Sequence, residues 1–222
     1  IPAMNEAWKK HNQVFLGIQA ADTYNLFTKF PLKTMEDLKG KKIYGPDALA
    51  RWLEGTGAVA VNGGLPVYYN GVQTGIAEGG IVITTGMLPF KLHEVAPYIT
   101  EVDMGGPISG ALTMNLDTWN SLPPYMQDIF TKLGKEYATT QSEIVKANAA
   151  KFLGLMAQQG ATVTKFPQAE RRKWAMGMPN IAKEWVDENE AKGIPAKQVL
   201  QAFMDGVRAA GETPLRDWDK GL

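Results

Sequence analysis

The feature that most constrains this fold is a stretch with no strong helix stop between Pro124 and Gly160. Apolar residues recur there at Met126, Ile129, Phe130, Leu133, Tyr137, Ile144, Phe152, Leu155 and Met156, the 3.6-residue spacing of one amphipathic helix. Ser121-Leu122-Pro123-Pro124 opens it, with proline where a missing N–H does no harm. At 1.5 Å per residue such a helix is about 55 Å long, longer than one small domain is wide. It is therefore expected to brace two bodies, with Gly134 or Gly154 as the point of a bend.

The rest of the chain alternates short strands with helices. Strands are expected at 13–19 (mostly buried), 25–28, 42–44, 58–61, 81–83, 98–104, 108–115 and 161–166. Helical segments are expected at 3–11, 47–54, 66–74, 84–91, 117–120, 168–191 with a break near Gly177-Met178-Pro179, and 195–210. That alternation is the mark of an α/β fold, and 222 residues suffice for one large or two modest domains. Gly105-Gly106-Pro107 reads equally as a turn or an interdomain hinge, and the tail is expected to pack through Trp218.

Residues 34–46 form a capped turn running into a strand. Thr34 and Asp37 have capping-box spacing, Gly40 supplies the stop, and Lys42-Ile43-Tyr44 ends at Gly45-Pro46. This places Tyr44 at the carboxyl end of a strand, where open α/β sheets bind ligands. The alternative is an ordinary half-buried strand tyrosine.

Several function classes are disfavoured. Lys plus Arg and Asp plus Glu both number 23, so no global field attracts nucleic acid or an anionic membrane. With no cysteine there is no disulfide, thiolate metal site or thiol nucleophile. The longest apolar runs, such as 79–85, are too short to span a bilayer. The chain opens on Ile1-Pro2 rather than Met, as expected of a processed or truncated product. His11 and His93, the only histidines, have no second ligand at helical or turn spacing, so neither a metal site nor a catalytic triad is expected, and no cofactor. The basic run Arg171-Arg172-Lys173 and the acidic cluster Asp187-Glu188-Glu190 read as solvated faces. Glu78 reads as a loop carboxylate or, less simply, a site carboxylate.

Three motifs resemble the dicarboxylate-binding type of substrate-binding protein from tripartite ATP-independent periplasmic (TRAP) transporters. They are Glu36-Asp37-Leu38-Lys39-Gly40-Lys41-Lys42-Ile43, residues 68–79 (YYNGVQTGIAEG), and Asp117-Thr118-Trp119-Asn120-Ser121-Leu122-Pro123-Pro124. The resemblance runs from about Phe15 to the end and implies a two-lobed α/β periplasmic-binding-protein-like clamp with a long interdomain helix. The N-terminal lobe would be incomplete. Residues 1–41 would be the remainder of the first lobe, 42–104 the second lobe, 105–140 the hinge strand and return to the first lobe, and 141–222 the completion of the second lobe.

The resemblance also implies a non-enzymatic periplasmic receptor that captures a small organic acid or related solute. Its partner would be the membrane permease of a TRAP transporter. The family's two carboxylate-binding arginines fall at Tyr44 and Tyr24, its aromatic residue at Leu65 and its asparagine at Val82. With Thr84 and Met104, these make up the expected ligand contacts. A charge-assisted hydrogen bond contributes about 1.5–3 kcal/mol, so losing a bidentate arginine disfavours a standard dicarboxylate. The replacements suit an apolar or aromatic solute. A monocarboxylate held by Arg51, or by backbone N–H groups after Pro46, stays open. So do an enzyme using Glu78 or Asp103 as base, and a sensor ectodomain.

Overall fold

Strand β2 (Tyr24–Thr28) is buried at all five positions, the signature of a central strand covered on both faces. In the computed structural model, which describes residues 2–106 and 110–221, it sits inside a six-stranded mixed sheet of order β4-β3-β5-β2-β6-β8. The others are β3 (Lys42–Tyr44), β4 (Val59–Val61), β5 (Gly79–Ile83), β6 (Tyr98–Glu101) and β8 (Thr162–Lys165). β3 runs parallel to β4 and β5, β2 antiparallel to β5 and β6, and β6 parallel to β8. A separate two-stranded antiparallel ribbon pairs β1 (Gln13–Gln19) with β7 (Gly110–Asn115). Pro107, Ile108 and the next residue, at the end of the expected hinge and the start of the expected 108–115 strand, lie outside the described residues.

Side chains alternate across the sheet and so build two cores. Leu26, Ile43 and Ile81 point to one face, with Trp52, Phe166 and Trp174. Phe27, Tyr44 and Val82 point to the other, with Tyr68, Val72 and Met156. Apart from Phe166, which directly follows β8, these partners come from α2 (Ala50–Leu53), α3 (Tyr68–Gln73), α7 (Pro124–Gln158) and α8 (Gln168–Gly177). The remaining helices are α1 (Pro2–Lys10), α4 (Thr84–Met87), α5 (Leu92–Val95), α6 (Leu116–Ser121), α9 (Ile181–Glu190) and α10 (Ala196–Ala209). The Thr34 turn is 3-10 rather than α, and the Asp37 carboxylate accepts from the Lys33 and Thr34 N–H groups at 2.8 Å. Trp218 packs against the first core, with the Arg216 guanidinium 4.2 Å above its ring.

Helix α7 runs unbroken for 35 residues. Neither glycine interrupts it. Gly134 instead lies where α7 crosses β1: a Cβ there would overlap the Leu16 carbonyl, and a Cβ on Gly17 would overlap the Gly134 carbonyl. Gly154 has open space around it. The far end of the helix reaches the sheet through Leu153 and Met156.

Two other expectations change. β1 is not mostly buried: Phe15 is 40% and Ile18 45% exposed, because the ribbon has only one partner strand and α7 covers one side of it. Strand β2, within the expected first-lobe remainder 1–41, pairs between β5 and β6. The basic run is not merely solvated. Lys173 pairs with Glu36, Arg171 Nη2 donates to the Asp103 carbonyl at 2.8 Å, and Arg172 Nη1 to that of Leu215 at 3.5 Å, so the run fastens α8 to three distant segments. The acidic cluster is exposed as expected, with Lys183 on Asp187 and Lys192 on Glu188.

Candidate functional site

Strand direction brings the candidate residues together. β3 and β5 run parallel and end at Tyr44 and Ile83; β2 runs the other way and begins at Tyr24; β6 runs with β5 and continues to Met104. Tyr24, Tyr44, Leu65, Val82, Thr84 and Met104 therefore share one edge of the sheet. Short backbone bonds fix part of it: the Tyr24 N–H donates to the Gly105 carbonyl at 3.0 Å, and the Met104 N–H to the Tyr24 carbonyl at 3.4 Å.

The six are not equally presented. Tyr24 stands at the border of burial, edge-to-face on Trp52 with centroids 5.9 Å apart. Burial and the nearby Asp22 charge push its phenol pKa up. Leu65 and Met104 are half-buried. Tyr44 is only 3% exposed. Its ring stacks on Tyr68 at 4.5 Å, and its hydroxyl occupies the space a Cβ on Gly71 would need. Gly63 and Gly80 close the slot, a Cβ on either coming within 3.0 Å of Tyr44. Tyr44 is thus a packed strand residue behind the edge, because three glycines make a cleft its ring fills. Burial, then the proximity of Tyr24 and Tyr44, drives the Tyr68 phenol pKa strongly upward. Val82 is buried against Leu65 over Gly86.

Thr84 belongs to a buried polar chain. Asn25 Nδ2 donates to Thr84 Oγ1 at 2.9 Å, and Asn25 Oδ1 accepts from the Asp103 N–H at 2.9 Å. Asp22 accepts from both the N–H and the hydroxyl of Thr85 at 2.8 Å. These two acceptors tie the segments after β5 and β6 to the start of β2. Sequence reading missed Asn25, Asp22, Tyr68 and Trp52; the available signal was one asparagine inside an otherwise fully buried strand.

The alternative groups lie elsewhere or are engaged. Glu78 precedes β5, at the opposite end of the strands, 2.8 Å from Lys41 Nζ. The hydrogen bond from Lys41 holds its carboxyl below the usual range. Arg51 is half-exposed and pairs with Glu54 and Glu184. Asp103 is exposed in a left-handed backbone conformation, φ 51°. His93 is buried with Nε2 2.6 Å from Gln159 Oε1, and His11 is exposed. Among the described residues no cluster of acidic or histidine side chains could hold a metal, and no helix is long and apolar enough to cross a membrane.

Known proteins share this frame. A TRAP periplasmic solute-binding protein from Desulfovibrio salexigens superposes with a TM-score of 0.82 at 21% identity, covering 96% of this chain and 69% of its own. One from Sulfitobacter sp. NAS-14.1 with bound β-D-galacturonate gives 0.74 at 20% identity, covering 88% and 65%. One from Rhodoferax ferrireducens with bound malonate gives 0.73 at 23% identity, covering 90% and 66%. Among curated sequences, a solute-binding protein of Sulfitobacter sp. (strain NAS-14.1) is 27% identical over 173 residues, 77% of this chain and 52% of the relative. The chain spans about half the length of the curated relatives it matches. The bacterial extracellular solute-binding proteins of family 7 match residues 2–189, the greater part of the chain, and the protein belongs to that family.

Proposed function

We propose that this protein is a periplasmic receptor that captures a small organic acid or related solute of apolar or aromatic character and delivers it to the permease of a TRAP transporter, without chemical turnover. The observation that carries this reading is the aromatic edge held in a family 7 frame. Tyr24, Leu65 and Met104 form its rim, while Tyr44, Val82 and Thr84 support them from behind. The Tyr24 ring and its phenol hydroxyl, with Tyr44 packed behind, take the place where the family resemblance would put an arginine selecting a dicarboxylate. Selectivity then rests on shape and single hydrogen bonds.

In this reading the two lobes are drawn around the two sheets. Residues 2–19, 110–121 and the first half of α7 form the ribbon body. Residues 22–106 and 162–221 form the sheet body, which the second half of α7 joins. The segment between β1 and β2 leads from the first to the second. Glu78 gives no support to acid–base chemistry, since it lies away from the edge and is engaged by Lys41.

Mass spectrometry of solute released from freshly purified protein, with thermal-shift titration of the same compound, tests the proposal. A bound, unaltered organic solute whose affinity falls when Tyr24 is replaced by Ala is expected. Release of a small dicarboxylate would overturn the reading of the edge, and conversion of the bound compound would overturn the receptor.

A further inference from the structure

A cavity of about 420 Å³ opens between the segment after β6 and the C-terminal helices, away from the glycine slot that holds Tyr44. Trp174, 1% exposed, and Met204, 3% exposed, are buried lining residues, Met178 and Val207 lie in its walls, and Phe203 stands at the rim, 66% exposed. Protein interiors are packed with few voids larger than a water molecule. A concavity of this size falls in the range of small-molecule sites, about 300–1,000 Å³, and its Trp, Met and Phe walls resemble theirs. Just under half of the wall comes from residues 203–218, beyond the 2–189 stretch that matches the family, and the rest from within it.

The polar lining narrows the occupant. Arg216 Nη1 already donates to the carbonyls of Ala175 and Met178, at 3.1 and 2.7 Å, and its guanidinium lies over Trp218. Arg171 Nη2 donates to the Asp103 carbonyl, but its Nε is buried with no acceptor among the described residues. A buried donor left unpaired costs about 1–3 kcal/mol, and an acceptor brought beside it recovers that cost. We propose that this cavity is a second binding site, for a compact aromatic or alicyclic molecule carrying one hydrogen-bond acceptor. The rings pack on Trp174, Met178 and Met204, and a small rotation of Arg171 turns Nε to the acceptor. Met104 is common to the cavity wall and the edge of the sheet, so the two sites adjoin at one residue.

Isothermal titration of the whole chain with 8-anilinonaphthalene-1-sulfonate, and with N-phenyl-1-naphthylamine, which lacks the sulfonate, tests this. One saturable site is expected for both. Ala175→Phe and Val207→Phe, which fill the cavity, should each weaken it at least tenfold without lowering the unfolding midpoint. Arg171→Met should weaken the sulfonate at least fivefold and leave the amine within twofold. Absence of saturable binding, or binding indifferent to both filling variants, overturns the site. If both variants fail to fold, contacts from bound probe to the Met178, Met204 and Val207 methyl groups, read by NMR on the unaltered chain, decide the matter: their presence supports the site and probe contacts only elsewhere overturn it.

Discussion

Tyr44 keeps its position because residue 71 has no side chain. The phenol hydroxyl fills the volume of the missing Cβ, and the stack on Tyr68 completes the packing. Gly71→Ala should therefore destabilise by about 1–3 kcal/mol, the usual cost of overpacking. Denaturant unfolding measures the loss, and a weakened near-ultraviolet signal reports the displaced tyrosines. A second residue-level effect depends on pH. Arg208 donates to both oxygens of Asp219, at 2.6 and 2.9 Å, and holds its pKa at about 2, below the ordinary 3.8. A depressed folded-state pKa gives stability that is fully present above about pH 4, falls as pH drops from there towards 2, and is gone below. Asp219→Asn should lower stability at pH 7 and flatten the stability curve between pH 4 and pH 2, as acid titration of the unfolding midpoint would reveal. That Tyr44 ends a strand was legible from Lys-Ile-Tyr-Gly-Pro. The slot that buries it was not, because Gly63, Gly71 and Gly80 meet only when β3, β5 and α3 assemble.

Two glycines of α7 offer opposite outcomes from one substitution. Alanine is favoured over glycine by about 1 kcal/mol in a helix interior, so propensity alone predicts stabilisation at both. At Gly154 nothing lies within 4 Å, and Gly154→Ala should raise stability by about 0.5–1 kcal/mol. At Gly134 the added methyl would meet the Leu16 backbone, which cannot yield like a side chain, so Gly134→Ala should lower stability by about 1–3 kcal/mol. Paired chemical denaturation curves check the signs. Helix α7 and strand β1 were both legible at nearly their observed limits, since periodicity and apolar runs are local signals. Neither the crossing of the two nor the exposure of Phe15 and Ile18 was legible. Both depend on which partners an element finds, as does the insertion of β2 between β5 and β6.

For the molecule as a whole, the receptor reading predicts how binding and stability are linked. A ligand at one hundred times its dissociation constant stabilises the folded state by about 2.7 kcal/mol, so a genuine solute should raise the unfolding midpoint in a concentration-dependent way. Tyr24→Phe, which deletes one hydroxyl and keeps the ring against Trp52, should weaken that solute by about two- to tenfold while leaving the apo midpoint close to the parent's. Calorimetric titration separates the two effects. The α/β class was legible, because strands and helices alternate along the chain and each leaves a local pattern. The Asn25 and Asp22 links that hold the edge were not, as each joins residues more than fifty positions apart.

The backbone contact between Gly17 and Gly134 would be the fulcrum of any tilt of α7. From Gly134 to Gln158 the helix extends about 36 Å at 1.5 Å per residue, so a tilt of about 5° at the crossing carries its far end about 3 Å. Leu153 and Met156, embedded in the sheet body, ride on that arm. A tilt of a few degrees at the ribbon would thus be a movement the size of a hydrogen bond at the far end of the helix.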